Sequence, residues 1–136
     1  MKEKKIWDML IYRAKEVQNS RAVSPFIEAG QVAAAILTKD GNIYTGVCVD
    51  TASTLGICAE RNAIHSMITN GESKIERICC IDSNGKAVPP CGACRELIMQ
   101  LDKDSKDVMF LVDEENYIYT RMEDLIPNWW GYNRFK

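Results

Sequence analysis

Residues 58–61 read Cys-Ala-Glu-Arg, and residues 90–96 read Pro-Cys-Gly-Ala-Cys-Arg-Glu. Cys91 and Cys94 stand one helical turn apart, so their sulfurs can grip one side of a zinc ion, and Cys58 can supply a third ligand. Three protein ligands leave the fourth tetrahedral position open to water, the arrangement of a catalytic rather than a structural zinc. Glu60 lies two residues past one ligand. From there a carboxylate reaches water on the metal without ligating it, and can accept a proton and later deliver it to a substrate. Both clusters open predicted helices, whose free amides and partial positive charge favour the thiolate form of a cysteine.

The elements that must hold these groups follow from the pattern of apolar residues. Ile6, Met9, Leu10, Ala14 and Val17 recur at helical spacing near the N-terminus. A loop is expected over 20–30, around Ser24-Pro25. The apolar run 31–38, the turn Lys39-Asp40-Gly41-Asn42 and the run 43–49 predict a β-hairpin. Residues 58–70 predict a helix stopped by Gly71, and 75–81 a strand. A second helix is expected over 91–101, strands over 107–112 and 117–120, then a short helix at 122–125 and an aromatic tail. Strands alternating with helices imply an α/β fold of three layers, α/β/α, with a mixed five-stranded sheet covered on both faces. One domain is expected over 1–136.

Composition narrows the class. A chain of 136 residues with 46% hydrophobic and 26% charged residues can bury a core. Its formal net charge of −2 argues against nucleic acid as a partner, because polynucleotide binders need a basic face. The N-terminal segment has no long apolar run, so neither a signal peptide nor a membrane span is expected there. Six cysteines without an export signal fit a reducing, cytoplasmic setting, where clustered thiols hold metal or do chemistry.

The two clusters together, in this order and about thirty residues apart, match the zinc-deaminase signature. The chain resembles the cytidine deaminase superfamily, in particular its small three-cysteine branch of free cytidine deaminases and blasticidin S deaminases. The likeness runs from Gln31-Val32-Ala33-Ala34-Ala35-Ile36-Leu37-Thr38-Lys39-Asp40-Gly41 to Leu125-Ile126-Pro127. It implies a cytidine-deaminase-like fold and a Zn²⁺ cofactor held by Cys58, Cys91 and Cys94. It also implies that Glu60 shuttles the proton while water attacks C4 of a cytosine ring, giving a uridine-type product and ammonia. Ala59 would bind the base carbonyl through its backbone amide, and Arg61 would offset the charge of the thiolates. A small-molecule nucleoside is the implied partner, cytidine or deoxycytidine, or alternatively a modified cytosine nucleoside such as blasticidin S. The implied assembly is a homotetramer whose active sites are completed by neighbouring subunits.

The sequence departs from that family where the ribose is held. Free cytidine deaminases carry Asn-x-Glu-Asn after the second strand, and here the stretch is Cys48-Val49-Asp50-Thr51. Cys48 and Asp50 are therefore the candidate sugar contacts, although a thiol is a weak donor and acceptor. Gly30 stands where the family tends to place a Phe beside the base, with Phe26 as a candidate substitute. Several residues have plainer readings. His65 lies about 10 Å down the helix from Cys58, too far for the same metal. Cys79 and Cys80 read as strand packing, Arg95 as facing solvent or a neighbouring subunit, and Trp129-Trp130-Gly131-Tyr132 as a hydrophobic anchor.

Overall fold

The computed structural model describes residues 2–135. Helix α1 (Lys2–Val17) is followed by β1 (Arg21–Ser24), β2 (Ile27–Thr38) and β3 (Ile43–Thr51). Then come α2 (Ala59–Thr69), β4 (Ile75–Ile81), α3 (Gly92–Leu101), β5 (Met109–Asp113), β6 (Ile118–Arg121) and α4 (Met122–Leu125). Strands β3, β2, β4, β5 and β6 are paired in that spatial order, and only the β4–β5 pair is parallel. The mixed five-stranded sheet expected from the sequence is thus present.

A sixth strand adds to it. Residues expected to loop over 20–30 instead form β1 and the first part of β2, which pair antiparallel through Arg21↔Ala29 and Ala22↔Glu28. The Phe26 amide donates to Ser24 Oγ at 3.1 Å and closes the turn at Ser24-Pro25. Val23 and Phe26 are exposed. With no buried residue on β1, this hairpin has no period-two apolar pattern for a sequence reading to find.

The alanine run of β2 shows how the three layers assemble. Successive strand side chains point to opposite faces. Ala33, Ala35 and Leu37 pack with Trp7, Leu10 and Ala14 of α1, while Ala34 and Ile36 pack with Ala59, Ala63, Ile64 and Met67 of α2 and Ile98 and Met99 of α3. Cys79 and Cys80 divide in the same way, Cys79 toward α1 and Cys80 toward α2. Small side chains on both faces let helices approach the sheet closely. Arg77, buried in β4, donates to Glu3 at 2.9 Å and lies 5.1 Å from the Trp7 ring, tying the start of α1 to the sheet.

At the end of the chain, Trp129 is buried and donates its indole N–H to Glu96 on α3. Trp130 also donates to Glu96 but is 62% exposed. The expected hydrophobic anchor is therefore Trp129, and the second indole stands in solvent.

The closest approach of sheet and helix is at Gly46 in β3. A Cβ there would lie 2.4 Å from the Ala63 amide nitrogen and 2.8 Å from the Ala59 carbonyl oxygen, both backbone atoms. Any side chain at 46 must push β3 away from the first turns of α2. Gly46→Ala is expected to lower unfolding free energy by about 1–3 kcal/mol, as overpacking does. Urea denaturation of the purified variant checks this, and an unchanged midpoint would contradict the contact.

Candidate active site

Two helices start at the same place. Cys58 is the N-cap of α2 and Cys91 the N-cap of α3, both with extended backbone, and neither side chain makes a capping hydrogen bond. Each still accepts the first intrahelical bond through its carbonyl, from Asn62 at 3.0 Å and from Arg95 at 3.0 Å. The two thiols are thereby free to face one another. Cys58 Sγ lies 3.4 Å from Cys91 Sγ, and Cys91 Sγ lies 3.3 Å from Cys94 Sγ, one turn into α3.

These separations exceed a disulfide bond by more than an ångström and approach the ~3.8 Å edge of a tetrahedron with Zn–S bonds near 2.3 Å. The three sulfurs fall within 4.8 Å of one another, and among the described residues no further His, Cys, Asp or Glu joins them. His65 is exposed on α2 and lies outside the cluster, as its distance along the helix required.

The electrostatics fit a cation. Burial pushes the Cys94 thiol up, and the Glu60 carboxylate adds to that rise. For Cys91, burial acts in the same direction, but hydrogen bonds from the Cys94 amide and the neighbouring thiols outweigh it and hold the group below its ordinary value. Three adjacent thiolates beside a buried carboxylate repel one another. A divalent ion among the sulfurs removes that repulsion, so the donor set suits a thiophilic metal.

Among the described residues, Arg61 is the one cation in contact with the cluster. It stands three residues after Cys58, on the same side of the first turn, and donates from Nη2 to Cys58 Sγ at 3.4 Å. The Cys58 thiol raises its pKa against the effect of burial, with Cys94 reinforcing the rise.

Glu60 is 5% exposed at the second position of α2. Burial raises its pKa; its own backbone amide, the Cys80 and Cys94 thiols and the Arg61 charge oppose that rise. A buried carboxyl poised toward neutrality can both accept and return a proton. Ala59 is fully buried at the first position of the same helix, where a backbone N–H has no intrahelical acceptor.

The family-level comparisons agree with this geometry. The family described as cytidine and deoxycytidylate deaminase zinc-binding region matches residues 7–112. The chain belongs to this deaminase family. A blasticidin-S deaminase of Bacillus cereus is 35% identical over 107 residues, covering 71% of this chain and 74% of that one. A cytidine deaminase of Halalkalibacterium halodurans is 39% identical over 72 residues, about half of each chain at 52% and 54%. The crystal structure of cytidine deaminase from Mycobacterium tuberculosis superposes with a TM-score of 0.75 at 26% identity, covering 92% of this chain and 97% of that one.

Within this deaminase fold, the other expected contacts divide. Asp50 is exposed and lines a cleft with Cys58, Arg61, Val49 and Ile57. Cys48 is engaged within the chain: its sulfur accepts the Val32 amide at 3.3 Å and donates to Gln31 Oε1 at 3.3 Å. Its thiol proton is directed at Gln31 in this structure. Gly30 adopts φ +89°, and a Cβ there would meet the Asn19 carbonyl oxygen at 2.0 Å, so this backbone cannot carry the family's Phe. Phe26 is 72% exposed at the β1–β2 turn and lines a separate groove with Glu28 and Asp50.

Two neighbours of the site were not evident from local sequence. Cys80, expected to be packing alone, is buried in β4 on the α2 face, and the Glu60 carboxylate adds to the upward push that burial gives its thiol. Strand alternation could have placed Cys80 on the α2 face, but nothing local joins it to Glu60. Arg95, expected to face solvent or a neighbouring subunit, is half-buried and engaged within the chain. It donates to the Pro90 carbonyl at 2.9 Å and the Leu125 carbonyl at 2.7 Å, fastening the segment before Cys91 to the end of α4.

Purified protein is expected to carry about one zinc per chain. Removing Cys91 (Cys91→Ser) should abolish stoichiometric metal, whereas Arg61→Leu should weaken its retention about 10- to 100-fold, as loss of an outer-shell partner does. Competition with a chromophoric chelator and elemental analysis measure both. Full metal content in Cys91→Ser would contradict the cluster.

Proposed function

We propose that the chain is a zinc-dependent cytidine deaminase, converting cytidine or deoxycytidine and water to the uridine-type product and ammonia. The observation that carries this reading is the juxtaposition of a three-thiol cluster with a single buried carboxylate on one helix start. Cys58, Cys91 and Cys94 would hold the zinc, which supplies the Lewis acidity that brings the pKa of water toward neutrality.

Glu60 takes the proton released by the attacking water, places it on ring N3, and then delivers a proton to the amino group as it leaves C4. Burial suits it to this exchange, because a fully ionised, solvated carboxylate would be a poor acid for the second delivery. The Ala59 amide, unpaired at the helix start, donates to the base carbonyl and sets the ring's orientation. Arg61 holds Cys58 in place and offsets thiolate charge. Asp50, exposed at the end of β3 and sharing a cleft with Cys58, would accept a sugar hydroxyl.

A second reading rests on the match to the blasticidin-S deaminase of Bacillus cereus: the same chemistry on a modified cytosine nucleoside. Incubation with cytidine, deoxycytidine and blasticidin S, followed by loss of cytosine absorbance, separates the two. Turnover of blasticidin S alone would replace the cytidine reading. With the accepted substrate, Glu60→Gln is expected to lose at least ~10³-fold in kcat while retaining zinc. Retained activity in that variant would remove Glu60 from the chemistry.

A homotetramer in the cytoplasm completes the proposal. Phe26, Leu55 and Trp130 are large apolar side chains more than 60% exposed, which supports burial against other subunits. Among the described residues, no helix is long and apolar enough to cross a membrane. Sedimentation equilibrium should return about four times the chain mass, and a monomer at all concentrations would exclude shared sites.

A further inference from the structure

The side chains of β3 that face α2 form a row. Gly46 touches the backbone of Ala59 and Ala63, so alternate residues 48 and 50 continue along the same face, beyond the start of the helix. Val49 pairs with Ile57 through two backbone hydrogen bonds of 3.0 and 2.9 Å, which bring the next residue, Cys58, alongside this row. Cys48 is therefore the first side chain of β3 past the helix start that carries Ala59 and Glu60.

Opposite it, β2 is irregular. The register between β2 and β3 shifts between Ala29 and Ala33. The Val32 amide, displaced from the strand ladder, donates to Cys48 Sγ. Gly30 in the same bulge cannot carry a side chain, because its Cβ position is filled by the Asn19 carbonyl. Gln31 supplies the polar side chain of that bulge. Its carbonyl is held by Gln18 Nε2 at 2.8 Å, and its Oε1 receives the Cys48 thiol proton.

The orientation of the amide follows. A thiol has one hydrogen, and in this structure the Cys48 sulfur accepts from Val32 while its hydrogen is directed at Gln31 Oε1. That fixes Oε1 toward Cys48 and turns Nε2 away from it. Among the described residues, Nε2 donates to no protein acceptor. Gln31 thus presents two amide hydrogens, on a half-buried side chain, beside the row that leads from α2 to Asp50.

We propose that Gln31, oriented by Cys48, recognises a hydroxyl oxygen on the sugar of the substrate, with the substrate class being a cytosine nucleoside that carries ring hydroxyls. Gln31 is the donor and Asp50 the acceptor of this pair, and Cys48 is a positioning residue that does not touch the ligand. The assignment rests on the deaminase reading above.

The test compares kcat/KM for cytidine with that for 2′,3′-dideoxycytidine, which lacks both hydroxyls. A ratio of the two cancels differences in the fraction of folded, metal-loaded enzyme. In Gln31→Leu the ratio is expected to fall about tenfold, the loss of one hydrogen bond. Cys48→Val, which frees the amide to rotate, should lower it in the same direction. Cys48→Ser keeps a hydroxyl that can both accept and donate, and should restore most of the preference. A ratio in Gln31→Leu within about twofold of wild type, whether both substrates suffer equally or neither does, overturns the assignment while leaving the deaminase reading intact. A wild-type protein that turns over neither substrate overturns both.

Discussion

The convergence of two helix N-termini on one point is the constraint from which the rest of the molecule follows. Helix α2 runs away from the site, β4 returns across the sheet, and α3 begins where α2 began. Eleven residues of helix cover about 16 Å and seven residues of strand about 23 Å, so the return is possible only because turns at both ends absorb the difference. The layers exist to hold this circuit. Ala34, Ala59 and Ala63 keep α2 tight to the sheet, Gly46 allows β3 to cross the start of α2 at backbone distance, and Arg95 pins the entry to α3. Each is a small or clamping residue, chosen by proximity rather than by chemistry.

Charge explains why the cluster and the fold depend on one another. Glu60, Cys80 and Cys94 all have their pKa values raised by burial, so this pocket resists holding negative charge. Arg61 is the one basic side chain touching the sulfurs, and a single guanidinium does not balance three thiolates and a carboxylate. Binding a divalent cation therefore displaces thiol protons and converts a set of mutually repelling groups into a bridge between α2 and α3. An ion held by the three sulfurs would cross-link α2 and α3, which make few contacts with each other directly.

The chemical part of this site was legible in the sequence because it is local. Cys58 and Glu60 share one helical turn, as do Cys91 and Cys94, and spacing within a turn translates directly into side-chain proximity. The order of helices and strands was legible for a similar reason, since burial on one or two faces leaves a period. The hairpin of β1 was not, because no residue of β1 itself is buried. Nor were the Arg95–Leu125 tie, the influence of Glu60 on Cys80 and the Cys48–Gln31 pair, which join residues 30, 20 and 17 positions apart. Gly30 shows the limit most plainly. From the sequence it is a missing aromatic; in the fold it is a position where the Asn19 carbonyl excludes any side chain at all.

This division between local and distant contacts also separates reaction from recognition. Glu60, Cys94 and Ala59 sit at the ends of packed helices, 0–5% exposed, where a changed side chain disturbs the core and the metal together. Asp50 lies at the exposed end of β3, and Gln31 lies in a bulge already released from regular pairing. Substitution there changes what can be bound without unpacking what performs the chemistry. A chain can therefore keep the deaminase cluster while exchanging an Asn for a Cys beside the sugar and a Phe for a Gly beside the base. Likeness at the cluster is strong grounds for the reaction and weak grounds for the sugar, because the departures from the family lie at the irregular stretch of β2 and on β3 rather than at the cluster.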